Sequence, residues 1–153
     1  MMKIWKKIST IVKKNTNTQI LTKDGKSGRD FKCKRGQLYY AQLDDGCCIG
    51  SEQMKDRLVL IVQNNTGNKY SPTVIVALAT AREDKRPDLP THRSVYVRKL
   101  GRRNMILTEQ LRTIDKMRLI EYVDRLSNKE MAEVDSALSC SLGLARGEAY
   151  ERT

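Results

Sequence analysis

Histidine is almost missing from this chain: His92 stands alone among 153 residues. Four cysteines, Cys33, Cys47, Cys48 and Cys140, form no C-x-x-C pair. A structural zinc site wants paired thiols and imidazoles at short spacings, so unpaired thiols are favoured over a structural metal by roughly ten to one. No run approaches the ~18–20 apolar residues that a membrane-spanning helix needs. The longest apolar runs near the N-terminus are two residues, as in Ile11-Val12, which excludes the core of a secretory signal. A cytoplasmic protein with reduced thiols, no cofactor and no membrane span is expected. Also missing are a phosphate-binding glycine loop, G-x-S-x-G and H-E-x-x-H. Any chemistry must therefore come from charge, hydroxyls and position.

What is present is charge, unevenly spread. The net charge is +11, with 31% charged and 39% hydrophobic residues. Residues 1–35 hold 11 Lys and Arg against two Asp, while the other 118 residues hold 18 basic and 16 acidic side chains. A basic balance favours polyanions through counterion release, but here most of it sits on an N-terminal appendage. Within it, Ile4, Trp5, Ile8, Ile11 and Val12 fall at helical spacing over residues 3–14, predicting a short basic amphipathic helix. Residues 15–32 read as a linker. Residues 1–33 are thus an extension, read either as a tail without a role or as a segment that adds affinity rather than chemistry, for RNA phosphates, an anionic membrane surface or the barrel itself; 34–144 is the domain proper, and 145–153 a polar tail.

The domain has β texture. Strands are predicted at Gln37–Leu43, Leu58–Gln63, Thr73–Thr80, Ser94–Arg98, Asn104–Arg112 and Glu121–Leu126. A polar loop at 44–56 and a turn-rich segment at Asn64–Pro72 separate the first three. Ser127 and Glu130 make a capping box, S-x-x-E, for a helix with Met131, Val134, Leu138 and Leu142 on one face and Gly143 to close it. Short strands followed by one terminal helix predict a mainly β, α+β domain, a small twisted barrel.

Seven segments in order carry a resemblance: RGQLYYAQL (35–43), GSEQ (50–53), Arg57, VLIVQN (59–64), GNKYSPTVIVA (67–77), LPTH (89–92) and ILTEQLRTIDKMRL (106–119). Together they resemble the MazF/PemK toxin family over about residues 34–144. That resemblance implies an SH3-like β-barrel with added helices, working as a homodimer. It implies metal-independent, ribosome-independent cleavage of single-stranded RNA at short sequences, held in check by a MazE-type antitoxin. Carried over by position, Arg57 resembles the family's catalytic arginine and Thr80 its catalytic threonine. Ser51 and Glu52 match its RNA-facing loop, and Thr108, Gln110 and Arg112 the segment lining its RNA groove. Met54, Lys55 and Leu58 depart from the Gly-Gly and proline usual there, and the loop at 44–49 is about two residues longer.

The residue types suit that chemistry. RNA carries its own nucleophile, the 2′-OH, beside the scissile phosphate. A fixed guanidinium at Arg57 offers forked donors to a phosphorane, and Thr80 offers a hydroxyl to orient an oxygen or pass a proton. Glu52 is open to two roles, base for the 2′-OH or contact to a base edge. Taken alone, each has a plainer reading: a solvated arginine, a strand-fitting threonine, turn bonds at Ser51 and Glu52, a solvent face for the 108–112 strand. His92 reads as a hydrogen-bonding loop residue. Two rivals remain open, a family member that binds RNA or antitoxin without cutting, and a CcdB-like gyrase poison. The latter depends on a C-terminal tryptophan, whereas this chain ends LARGEAYERT.

Overall fold

The computed structural model describes residues 32–43, 56–82 and 88–144. The helix expected over 3–14, the linker, the loop at 44–55 and the tail lie outside the described residues. Six antiparallel strands, β1 (Gln37–Gln42), β2 (Asp56–Ile61), β3 (Thr73–Thr80), β4 (His92–Val97), β5 (Arg102–Asp115) and β6 (Leu119–Arg125), form one sheet in the order β4-β5-β3-β2-β1-β6. Among the described residues two α-helices accompany them, α1 (Asn65–Tyr70) and α2 (Asn128–Ser141). The mainly β architecture with a C-terminal helix is the one the hydropathy pattern predicts.

The two continuous apolar runs became the central strands. β2 and β3 are paired on both edges, and Val59, Leu60, Ile61, Val74, Val76 and Ala77 are fully buried; β2 is buried on both faces from Leu58 to Ile61, whereas β3 leaves Ile75 exposed. One face carries Leu38, Leu58, Leu60, Ala77, Ala79 and Ile106, and α2 packs on it through Val134 and Leu138. Each Leu, Ile or Val side chain among them contributes about 1.5–3 kcal/mol when fully buried. β2 ends where the Val62 and Gln63 N–H groups both donate to the Ile75 carbonyl, at 3.1 and 3.2 Å. Two donors on one acceptor break the ladder, which is why the strand stops short of the predicted Gln63.

α2 begins as its capping box dictates. The Ser127 hydroxyl accepts from the Glu130 N–H, and the Glu130 carboxylate accepts from the Ser127 N–H at 2.8 Å. Gly143, at φ 67°, lets the chain turn back beyond the helix. Gly36, at φ 87°, holds the turn before β1, where its N–H donates to Ile61 and its carbonyl accepts from Leu126. The segment Asn64–Pro72, expected as a turn, holds α1 instead. The Asn64 side chain accepts from the Gly67 N–H at 2.8 Å, so one of its turn-forming residues acts as a helix cap.

The sheet curls until its two edges meet through side chains. A 3₁₀ turn at Arg98–Leu100 follows β4 and reaches β6. The Asp124 carboxylate accepts from the Arg98 guanidinium and N–H and from the Arg125 N–H, each at 2.8 Å. Beside it, the Lys99 ammonium donates to Glu121 at 2.7 Å. Burial pushes the Asp124 carboxyl up, but the Arg98 hydrogen bond, the two backbone donors and the Arg98 charge together hold it below the usual range. The ion therefore stabilises the fold above the ordinary carboxylate pKa, and that contribution is lost as pH falls through the lowered folded value. Asp124→Ala leaves two part-buried backbone donors without their acceptor, so unfolding stability near neutral pH should fall by about 1 kcal/mol. Urea denaturation checks this, and a wild-type midpoint would show that the seam contributes nothing.

Candidate active site on the β2–β3 rung

Register, rather than any loop, assembles the candidate site. Val59 on β2 lies opposite Leu78 on β3. Two residues further along each strand stand Arg57 and Thr80, and alternation puts both on the face opposite the α2-packed core. Arg57 in turn lies opposite Ala41, and Thr80 opposite Met105, each two residues beyond the last β2–β3 pair, Val59 with Leu78, and on the same face.

Their settings differ in a useful way. Arg57 is exposed and Thr80 half-buried. The Thr80 hydroxyl accepts from the Arg82 N–H at 3.3 Å, which steers the oxygen and leaves its proton available to a ligand. Leu58 points the other way, buried in the core and opposite Tyr40. β2 is thus paired through the position where the resemblance expects proline. Asp56 alternates onto the core face with Leu58, where burial pushes its carboxyl up. It does not share a face with Arg57.

The 108–112 segment does not behave as a single face. Leu107 pairs with Leu78 but Leu111 pairs with Ala77, so Thr108, Glu109 and Gln110 form a bulge without β3 partners. Thr108 is turned fully inward: its hydroxyl lies 2.6 Å from the Thr91 carbonyl and 3.2 Å from that of Ala137, while Ser141 donates to its own carbonyl. That side chain ties β5 to α2 and the 88–91 segment, and offers nothing to a ligand on the outer face. Gln110 is exposed in the bulge, and Arg112, half-buried, lies opposite Val76 on the face of Thr80. Four residues along β3 separate Val76 from Thr80, so Arg112 stands about 13 Å along the strands from Thr80. Ser51 and Glu52 lie outside the described residues. The structure therefore puts Arg57 and Thr80 on one face at the same end of β2 and β3, sets Arg112 further along that face, and takes Thr108 away.

One pair was not legible beforehand. His92, expected in a loop, is the buried first residue of β4, and its Nε2 lies 2.8 Å from the Glu109 carboxylate. The pair fastens the bulge to β4 from the outside as Thr108 does from the inside. Only the bulge brings a residue 17 positions away into reach, and no local pattern signals it.

The sequence pattern described as the PemK-like, MazF-like toxin of type II toxin–antitoxin systems matches residues 34–142. Among solved structures, the chain is similar to the MazE–MazF complex of Deinococcus radiodurans, with 20% identity and a TM-score of 0.63 over 76% of this chain and all of that one. It is also similar to a mycobacterial endoribonuclease in complex with its cognate antitoxin, with 23% identity and a TM-score of 0.61 over 75% of this chain and 99% of that one. The Mycobacterium tuberculosis toxin MazF-mt6 matches at 22% identity and TM-score 0.58, over 71% of this chain and 98% of that one. At these identities the likeness is one of fold. Among the described residues, no helix is long and apolar enough to cross a membrane.

Proposed function

This chain belongs to the PemK-like, MazF-like toxins of type II toxin–antitoxin systems, and we propose that it is a sequence-specific endoribonuclease that cuts single-stranded RNA without ribosome or metal. The observation that carries the reading is that Arg57 and Thr80, at the two positions that resemble the family's catalytic pair, lie on one face, each two residues beyond the Val59–Leu78 pair. In the proposed reaction the 2′-oxygen attacks the adjacent phosphorus and its proton leaves to a base. The bond from phosphorus to the 5′-oxygen breaks, and that oxygen takes up a proton. The products are a 2′,3′-cyclic phosphate and a 5′-OH. Arg57 stabilises the extra charge of the phosphorane, and Thr80 orients a phosphate oxygen or relays a proton. Gln110 and Arg112 extend the RNA path along the outer face, with Ser51 and Glu52 as the loop contacts.

The working unit is a homodimer, and its partner is a MazE-type antitoxin. A flexible acidic antitoxin segment suits the arginine-bearing surface around Arg57 and Arg112 and competes there with RNA. Incubating the purified protein with a long RNA in EDTA, then mapping the ends, tests the reading. Cuts should recur at one short sequence, carry 5′-OH ends and cease when antitoxin is added. Intact RNA, or cutting only after magnesium is added, overturns it.

A further inference from the structure

The face of Arg57 and Thr80 leads into a basic, aromatic patch that the toxin motifs do not include. Ser94 on β4 lies opposite Met105, as Thr80 does from the other side, so Thr80, Met105 and Ser94 form one rung. Two residues on, Tyr96 lies opposite Arg103, and alternation keeps both on the face of Thr80. Crossing two strand spacings and advancing two residues puts Tyr96 about 12 Å from Thr80. The Tyr96 side chain is 48% exposed, and Arg103 is exposed with its guanidinium 3.4 Å from the Ser94 hydroxyl.

Tyr96 also borders a cleft of about 290 Å³, lined further by Arg98, Arg125, Leu126, Ser127 and Glu130. That volume lies at the small end of ligand sites and matches one planar ring better than a larger ligand. Charge selects the ligand further. The nearby acids are already engaged, Asp124 by Arg98 and Glu130 by the Ser127 cap, whereas Arg103 and Arg125 are exposed. An exposed ring with one arginine opposite it on the sheet and another lining the same cleft can hold single-stranded nucleic acid, with the base on the aromatic face and phosphate on arginine. A tyrosine retained only for strand propensity requires neither the cleft nor the two arginines.

We propose that Tyr96, flanked by Arg103 and Arg125 at the mouth of this cleft, is a nucleobase subsite for an RNA nucleotide beside the cut, rather than the cut nucleotide itself. The subsite rests on the ribonuclease reading above and adds a specificity-determining contact outside its motifs. It accounts for how one shallow face selects among identical phosphates.

The test uses the full chain and a target RNA made uncleavable by 2′-deoxy substitution at the cut site, with single abasic nucleotides placed along it. Wild-type protein should lose roughly 10- to 100-fold in affinity for the RNA abasic at one flanking position, the usual size of one base stack. Tyr96→Ala should show that loss on intact RNA and no further loss at that abasic position, whereas Tyr96→Phe should bind like wild type. Binding by Tyr96→Ala within twofold of wild type, or an unchanged abasic penalty, overturns the subsite while cleavage of ordinary RNA leaves the ribonuclease reading standing. Should wild-type protein neither cut nor bind RNA, the ribonuclease reading fails and the subsite with it.

Discussion

Arg57→Ala should lower RNA cleavage by ~10²–10³, the typical cost of one preorganised donor to a transition-state anion. Folding should be almost unaffected, because the Arg57 side chain is exposed while Leu58, Val59 and Leu60 around it carry the packing of β2. Affinity for uncleavable RNA should fall far less than the rate, since the guanidinium is proposed to meet more charge in the phosphorane than in the ground-state phosphate. Arg57→Lys should recover little. An ammonium keeps the charge but cannot present two parallel donors from a fixed plane. Single-turnover cleavage, binding and thermal unfolding of both variants separate these effects. Near-normal cutting by Arg57→Ala would remove the arginine from the mechanism.

The parts of the fold that follow local rules were legible from residues alone. The α2 cap needs only Ser127 and Glu130 three positions apart, and central strands show themselves as unbroken apolar runs at 58–61 and 73–79. What resisted reading depends on partners distant in sequence. The placement of Arg57 and Thr80 at the same end of one face is set by strand register across 23 positions, so their likeness to a catalytic pair came from resemblance and their common face from the structure. The Thr108–Arg112 segment failed for a different reason. Period two assigns Thr108, Gln110 and Arg112 to one face only if the strand is unbroken, and three residues without β3 partners break it. Nothing local marks that bulge, because its inner anchors are carbonyls of Thr91 and Ala137 and its outer anchor is His92.

A single 2′-deoxy substitution at the cut site should abolish cleavage there, and a 2′-O-methyl group should do the same. The argument is one of supply. For Arg57 and Thr80 the proposed roles are charge stabilisation and orientation, and neither side chain is asked to attack phosphorus. Attack by water would need that water bound and oriented in line with the leaving oxygen, which neither side chain is proposed to do, whichever base takes the proton. The neighbouring 2′-OH comes held beside the phosphate by the ribose, so the enzyme gains an attacking group already in place. Removing that oxygen deletes the nucleophile itself, whereas Arg57→Ala deletes one stabilising contact, so the deoxy effect should be the larger of the two. Binding of the deoxy RNA should stay close to that of the intact strand, because one hydroxyl contributes little beside the phosphates and bases. Denaturing gel analysis at long incubation, with cleavage at a second unmodified site in the same RNA as internal control, gives the comparison directly. Cutting at the deoxy position would mean that water is the nucleophile, and the products would then carry a linear phosphate instead of a cyclic one.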